Sequence, residues 1–260
     1  MKSERIPVKS FSADNGFIGK MQKLVREEVL PYQYNILNDA IPGIEKSHAI
    51  ENIRLAAEKL RGKDVKPDEF YGMVFQDSDV AKWIEAAAYA LAAGEDPELE
   101  KAVDETIQLY GASQHEDGYV DSYFTVKCPD KMWTNICDAH ELYCAGHMME
   151  AAVAYYEVTG KRELLDIMSK SADCIYEQFM KKNTRAYPGH PEVELALMRL
   201  WRATGNEKYK ELAKHFVDVR GQAPNYFVEE KKNRGWNVWD GTEELNTDYT
   251  QSTLPVREQK

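Results

Sequence analysis

Apolar residues recur every three or four positions along most of this chain, which is the spacing of amphipathic α-helices. Polar segments bound each stretch and hold the residue types that commonly begin and end helices. No convincing alternation typical of β-strands precedes Pro224–Gly241, where a short hairpin would fit. We therefore predict an all-α protein with eight helices: Lys20–Asn38, Ser47–Leu60, Asp77–Ala93, Asp96–Ser113, Cys137–Thr159, Arg162–Lys182, Pro191–Thr204 and Glu207–Arg220.

Three of the predicted helices end in the same way, at Gly94, Gly160 and Gly205. Each glycine suits the left-handed position that follows a helix, and a charged segment then begins the returning helix. The glycines lie 66 and then 45 residues apart, which is too irregular for a solenoid with a fixed repeat of about 34 residues. We predict an α/α toroid of the six-hairpin type, with the Ala-rich first helices inside. An ordinary α-solenoid is the alternative.

The connections that follow the returning helices are longer and differ in composition. Gly111–Cys137 and Lys182–Pro191 contain Tyr, His, Gly and Pro residues, and the first also contains Trp. In a ring of hairpins these connections gather at one end, together with helix N-termini whose free N–H groups suit polar ligands. We predict that the functional site lies at this mouth of the ring.

The segment Asp138–His147 places two histidines, two carboxylates, a tyrosine and a thiol at the start of an apolar helix. Four residues have offsets that put them on one helical face: Cys137, His140, Cys144 and His147. The first and last would lie about 15 Å apart along the axis, which is too far for one zinc ion. We therefore predict no metal site here. His140 is the candidate functional residue, whereas His147 and the two thiols have packing roles.

Two other predicted helix starts carry candidate residues. Capping explains two of the three residues Asp77, Ser78 and Asp79, so the third indicates ligand binding. Before a later helix, Pro191 fits the first turn and leaves His190 at the cap, where histidine is a poor choice. Asp79 and His190 are therefore candidate ligand-binding residues.

Composition argues against several classes of function. The 260 residues carry a net charge of −11 without a basic stripe, which disfavours binding to nucleic acid or to an anionic membrane surface. No apolar run approaches the roughly 18 residues of a membrane-spanning helix, and the N-terminus lacks the apolar core of a signal peptide. The four cysteines form no CxxC pair, so we predict reduced thiols in a cytoplasmic protein.

Several segments, in order along almost the whole chain, carry a family resemblance: Leu30–Tyr34, Ile53–Ala57, Phe75–Val80, Trp83–Tyr89, Asp117–Tyr119, Ser122–Phe124, His140–His147, Glu150–Tyr156 and Pro188–Glu192. In them the sequence resembles the zinc-containing β-L-arabinofuranosidase family of glycoside hydrolases, once catalogued only as a domain of unknown function. The resemblance implies an α/α toroid. It also implies that His140 and His190 face the sugar, with Gln33 and Asp79 nearby. One departure is Ile18, where family members tend to have Trp.

The resemblance also implies chemistry that these residues do not supply. Members of the family use a cysteine thiolate, held by zinc among other cysteines and a glutamate, as the nucleophile of a retaining mechanism. Another glutamate is the general acid/base. Those residues lie further along the family's chain, and none of the four cysteines here falls at their positions. We therefore predict that residues 1–260 form the N-terminal portion of one barrel-shaped catalytic domain, truncated, without its own cofactor and inactive alone.

Three hypotheses for function follow. The leading one is a retaining glycoside hydrolase of the β-L-arabinofuranosidase type, acting on plant-derived arabinofuranosides, of which this chain supplies part of the barrel and of the sugar site. The second is a non-catalytic carbohydrate-binding or scaffold protein of the same fold, which self-associates through an open barrel edge. The third is a hydrolase with its own carboxylate pair, Asp77 or Asp79 with Glu141, about 5–9.5 Å apart across a sugar.

Overall fold

The computed structural model describes residues 6–10, 13 and 16–239, and all regular structure in that part of the chain is helical. The all-α prediction is confirmed. No helix among these residues is both long and apolar enough to cross a membrane. The α-helices described are α1 (Gly16–Leu24), α2 (Leu30–Leu37), α3 (Ala49–Leu60), α4 (Asp77–Ala93), α5 (Pro97–Ala112), α6 (Ser122–Lys127), α7 (Glu141–Thr159), α8 (Glu163–Glu177), α9 (Val193–Thr204), α10 (Glu207–Val219) and α11 (Tyr226–Arg234).

Eight of these helices form two layers. In the inner layer α2 packs against α4, α4 against α7, and α7 against α9. In the outer layer α3 packs against α5, α5 against α8, and α8 against α10. Each inner helix is followed along the chain by an outer one, which is the order of an α/α toroid.

Helix α7 lies at the centre of the inner layer because its residues are small enough for close packing on both sides. Most of its residues are buried, and a run of Ala and Gly faces its neighbours. A Cβ atom at Gly146 would lie 2.9 Å from Cγ of Glu192 and 3.0 Å from Cα of Val193. The backbones of α7 and α9 therefore approach more closely than a larger residue would permit.

One guanidinium group joins three inner helices. Arg199 of α9 donates hydrogen bonds to Glu150 of α7, to Glu85 of α4 at 3.2 Å and to the hydroxyl of Tyr89 at 3.2 Å. The side chain of Arg199 is only 16% exposed, so these charges are poorly screened by water. The inner layer is thus held by an ion-pair network as well as by apolar contacts.

The glycine turns follow the prediction at two of three positions. Gly160 and Gly205 end α7 and α9 with left-handed φ values of 78° and 75°. Gly94 after α4 has an extended φ of 170°, so the left-handed prediction is wrong there. A Cβ atom on Gly94 would lie 2.5 Å from Nη1 of Arg26, so glycine leaves room for this guanidinium group.

Two helix starts differ from the sequence predictions. Helix α7 begins at Glu141 and not at Cys137, because His140 has a left-handed φ of 62° that interrupts the helix. The argument that Cys137 and His140 share a helical face with later residues is therefore wrong. Helix α9 begins at Val193, so His190 lies in the turn before the helix and is not its cap.

Two further helices were not predicted. The hairpin interpretation of the Pro224–Gly241 segment is wrong for its described residues, because α11 occupies most of them. Helix α11 begins where the side chain of Asn225 accepts a hydrogen bond from Phe227 N–H at 3.0 Å. The short helix α6 begins in a similar way, because Asp121 accepts the N–H of Phe124 at 3.0 Å. Both starts use ordinary N-cap chemistry.

The two long connections predicted to share one mouth are in contact. The N–H of Gly189, before α9, donates to the carbonyl of Ile136, before α7, at 3.3 Å. A Cβ atom on Gly189 would lie 1.9 Å from the carbonyl oxygen of Cys137. The backbones therefore touch, and this contact brings the N-terminal ends of α7 and α9 side by side.

Candidate functional site

The structure brings two of the predicted site residues, His140 and His190, into direct contact. Their Nε2 atoms are 3.1 Å apart and their ring centroids 4.9 Å apart. His140 stands at the start of α7 in the left-handed conformation, which is uncommon for a residue other than glycine. Non-glycine residues with positive φ cluster at functional sites, where the surrounding structure maintains the strain.

The backbone fixes which ring nitrogen of His140 carries its proton. Nδ1 of His140 is 2.5 Å from the carbonyl oxygen of Asp138. A carbonyl oxygen only accepts hydrogen bonds, so Nδ1 is the protonated nitrogen and Nε2 of the neutral ring is an acceptor. Nε2 of His190 must then carry the hydrogen that lies between the two rings. The pair therefore has a defined donor and a defined acceptor.

Both rings are neutral at physiological pH. Burial lowers the pKa of His140 to about 4; the hydrogen bond to the Asp138 backbone opposes this shift, and the neighbouring His190 adds a smaller lowering effect. Burial also lowers the pKa of His190, and the positive charge of Arg220 acts in the same direction. Neutral imidazole rings can both donate hydrogen bonds to an uncharged polar ligand and accept hydrogen bonds from it.

Aromatic rings surround the histidine pair. The ring of His140 lies 5.2 Å from Phe75, 5.5 Å from Tyr143 and 6.5 Å from Trp239, measured between centroids. Tyr143 also lies 5.3 Å from His190. The site therefore combines two polar ring nitrogens with apolar ring faces, against which the C–H groups of a ligand could pack.

Asp79 is linked to this site through Lys82. The two residues are one helical turn apart on α4, with 4.0 Å between the Lys82 amine and the carboxylate. The same amine lies 5.1 Å from the centre of the Tyr143 ring, which contacts both histidines. Burial raises the pKa of Asp79, whereas Lys82 lowers it.

Gln33, the fourth predicted site residue, is not in this group. It lies exposed on α2, and no hydrogen bond among the described residues joins it to His140, His190 or Asp79. Its neighbour Tyr34 turns inward instead and stacks on Trp83 of α4.

Two buried carboxyl groups near the site are occupied by bonds within the protein. Asp77 accepts the N–H of Ser122 at 2.8 Å and also its hydroxyl, so this carboxylate joins the start of α4 to the start of α6. Glu141 accepts from the Tyr119 hydroxyl at 2.6 Å and from Trp133 N–H at 3.0 Å. Burial raises the pKa of Glu141 to about 8. These contacts argue against the hypothesis of a catalytic pair with Asp77 or Asp79.

The cysteines have the properties of packing residues. Burial raises the pKa of all four thiols, to about 11 for Cys128 and about 12 for Cys174, whereas a nucleophilic or metal-binding cysteine needs a lowered value. Among the described residues no three His, Cys, Asp or Glu side chains converge well enough to hold a metal ion. These residues do not fit the zinc that the family resemblance implies.

His147 also has protein partners. It lies 3.5 Å from Glu192 and 4.4 Å from the Tyr143 ring, and only 18% of its side chain is exposed. This agrees with the predicted packing role.

Sequence reasoning missed the residues that hold the loop before α7. The carboxylate of Glu230 accepts the N–H groups of Ile136 and Cys137, and Arg234 donates to Asp138 at 3.0 Å. Both belong to α11, in the segment for which a hairpin was considered. Their partners are more than 90 residues away, so no local pattern marks them.

Comparison with known proteins identifies the family of this chain. The model of the β-L-arabinofuranosidase GH127 catalytic domain matches residues 12–260. This chain belongs to the GH127 β-L-arabinofuranosidase family. A similar curated relative is the non-reducing end β-L-arabinofuranosidase of Bifidobacterium longum subsp. longum, 39% identical over 255 residues, which cover 90% of this chain and 38% of the relative.

Solved structures of GH127 enzymes share the fold. A GH127 β-L-arabinofuranosidase from Geobacillus stearothermophilus T6 is 51% identical, with a TM-score of 0.84 over 95% of this chain and 38% of that enzyme. A second GH127 β-arabinofuranosidase is 32% identical, with a TM-score of 0.73 over 83% of this chain and 34% of that protein. These GH127 neighbours are α/α toroids, which decides against the ordinary solenoid. The chain spans about two fifths of the length of the relatives it matches.

Proposed function

We propose that this GH127 chain forms part of the sugar-binding site of a retaining β-L-arabinofuranosidase that acts on plant-derived arabinofuranosides. The observation that carries the proposal is the contact between His140 and His190, at 3.1 Å, in a chain whose family is named for this activity. Both residues belong to segments that carry the family resemblance, and both stand beside the N-terminal ends of α7 and α9.

The properties of the pair suit a sugar. Neutral imidazoles form hydrogen bonds with hydroxyl groups without attracting anions, and the low pKa of His140, about 4, keeps that ring neutral. Phe75 and Tyr143 offer faces for the C–H groups of a furanose ring. In this proposal Asp79, which forms an ion pair with Lys82, accepts a hydrogen bond from another hydroxyl group of the sugar. Gln33 contacts a more distant part of the ligand.

The hydrolytic step is assigned to groups outside the described residues. All four thiols are protonated at neutral pH because burial raises the pKa of each. We expect zinc and a cysteine nucleophile in the complete family enzyme, and the described residues do not fit them. The 260-residue chain alone is therefore proposed to bind the sugar without hydrolysing it.

Binding of methyl β-L-arabinofuranoside, followed by NMR of the purified chain, tests the sugar site. We expect His140→Asn and His190→Asn to weaken binding about 5- to 10-fold each, because a net hydrogen bond contributes about 1–1.4 kcal/mol. The matched control is His48→Asn. His48 also begins a helix with a left-handed φ of 58°, and its ring bonds Asp39 at 2.6 Å. Equal losses in all three variants would contradict the proposed site.

Hydrolysis is measured separately with an aryl β-L-arabinofuranoside. The proposal expects no release of the aryl group by the purified chain, with or without added zinc. Release above that of a heat-denatured sample would show that the catalytic groups lie within these residues.

The alternative, a non-catalytic carbohydrate-binding or scaffold protein, is favoured by one surface feature. Phe17 and Ile18 of α1 are 75% and 56% exposed and line a groove of about 670 Å³ with Tyr89 and other residues of α4. An apolar edge of this kind would support self-association. Light scattering over a range of protein concentrations tests self-association, and a constant monomer mass would exclude self-association.

A cytoplasmic location is also part of the proposal. It is supported by the absence of disulfides among the four cysteines, which are all free thiols in the structure. Fractionation of the source cells tests it, and recovery of the chain outside the cytoplasm would contradict it.

A further inference from the structure

Helix α11 lies behind the loop that leads into α7, and its side chains bind that loop through its backbone. The carboxylate of Glu230 accepts the N–H of Ile136 at 2.8 Å and the N–H of Cys137 at 3.2 Å. Glu230 is only 7% exposed. A buried carboxylate with two backbone donors fixes the orientation of both peptide groups.

Arg234 completes this contact one turn later on α11. Its guanidinium group donates to the carboxylate of Asp138 at 3.0 Å, to Glu230 at 3.3 Å and to the side-chain oxygen of Asn135. Its side chain is 5% exposed. The planar, forked donor set of arginine can hold three acceptors in one arrangement, which a lysine amine cannot reproduce.

The loop held in this way presents one particular atom to His140. Asn135 accepts the N–H of Asp138 at 3.0 Å, and the carbonyl of Asp138 then lies 2.5 Å from Nδ1 of His140. The carbonyl of Ile136 accepts the N–H of Gly189 at 3.3 Å, next to His190. The loop of residues 135–138 therefore contacts both histidine segments: the carbonyl of Asp138 bonds the ring of His140, and the carbonyl of Ile136 bonds the backbone next to His190.

We propose that Glu230 and Arg234 are positioning residues that fix the tautomer of His140, and through it the direction of the hydrogen bond between His140 and His190. The two side chains do not touch the rings; they act by holding the Asp138 carbonyl at Nδ1. The importance of a fixed His140 tautomer for sugar binding rests on the proposed function. The effect of Glu230 and Arg234 on that tautomer does not.

The test observes the ring nitrogens directly in the purified, ¹⁵N-labelled chain without ligand. Long-range ¹H–¹⁵N NMR at pH 7 distinguishes a protonated Nδ1 from a protonated Nε2 for each histidine. In the unaltered chain we expect one tautomer for His140, protonated at Nδ1, and the opposite tautomer for His190. In Arg234→Gln we expect both rings to show averaged signals, with at least a fivefold loss of preference for one tautomer.

A graded series and a matched control make the result specific. Arg234→Lys and Glu230→Gln keep part of the contact and should give intermediate losses. Arg185→Gln removes another arginine that contacts α11, through Glu229, without touching the loop, and should leave both tautomers unchanged.

Two results would overturn the proposal. One is an unchanged tautomer of His140 in a folded Arg234→Gln chain. The other is loss of helical circular dichroism in all three variants of Arg234 and Glu230, which would make these residues general requirements for folding. A chain that binds no arabinofuranoside would contradict the proposed function but would leave this test intact.

Discussion

The contact between the two loops of the site gives a sharp prediction for Gly189→Ala. The added Cβ atom would lie 1.9 Å from the carbonyl oxygen and 2.9 Å from the carbonyl carbon of Cys137. An ordinary carbon–oxygen contact is about 3.3 Å, so the loops must separate by roughly 1.4 Å. The opposing atoms belong to the backbone, which cannot rotate away as a side chain would.

This separation has a calculable cost. Overpacking of this kind costs about 1–3 kcal/mol, and the 3.3 Å hydrogen bond between Gly189 and Ile136 is lost with it, for about 1 kcal/mol more. We expect a free energy of unfolding lower by about 2–4 kcal/mol, which for a chain of this size corresponds to a Tm lower by about 4–16 °C. The hydrogen bond between His140 and His190, which has 3.1 Å between the Nε2 atoms in the unaltered chain, should be lost.

Thermal unfolding followed by circular dichroism measures the first effect, and the NMR signals of His140 and His190 measure the second. Gly160→Ala is the control: its Cβ would meet no atom within 4 Å, although its φ of 78° is unfavourable for alanine. It should lower stability by about 1–2 kcal/mol and leave the histidines unchanged. An unaltered Tm and unaltered histidine signals in Gly189→Ala would refute the reasoning.

Three other predictions concern buried charge. Burial lowers the pKa of His140 from 6.5 to about 4, so the unfolded chain binds a proton that the folded chain does not. Stability should fall as the pH is lowered across that window, and thermal melts should show a smaller fall in His140→Asn. Burial raises the pKa of Glu141 from 4.5 to about 8, so stability should fall as the pH rises across that range, and Glu141→Gln should flatten this dependence in the same assay. Arg199→Met removes the cation between Glu85 and Glu150 and should cost about 3–5 kcal/mol in urea unfolding; the exposed Arg202→Met should change stability by less than about 0.5 kcal/mol.

The layered fold could be predicted because it depends on local signals. Hydrophobic periodicity identified the inner and outer helices, and the glycines at 160 and 205 marked two of the turns between them. Gly94 is an exception to the rule that a glycine after a helix adopts a left-handed φ. Its φ is extended, and the absence of a side chain leaves room for Arg26.

The site could be predicted only in part. His190 was noticed as a poor helix cap and His140 through its polar neighbours, and the family resemblance joined the two. The exact start of α7 could not be found from periodicity, since the left-handed conformation of His140 does not change the spacing of apolar residues. Glu230 and Arg234 were missed for a related reason: their roles depend on contacts with a loop more than 90 residues away.

The fixed order of donor and acceptor in the histidine pair has a consequence for selectivity. A group that replaces the hydrogen bond between the rings must separate their Nε2 atoms, which are 3.1 Å apart, and must then accept a hydrogen from His190 and donate one to His140, whose Nδ1 is already engaged with Asp138. A hydroxyl group does both at once, because it has one hydrogen and two lone pairs. An ether or carboxylate oxygen has no hydrogen to give, and an ammonium group has no lone pair to offer. The pair can therefore discriminate a free sugar hydroxyl from the same position after methylation, because only the hydroxyl can donate a hydrogen to His140.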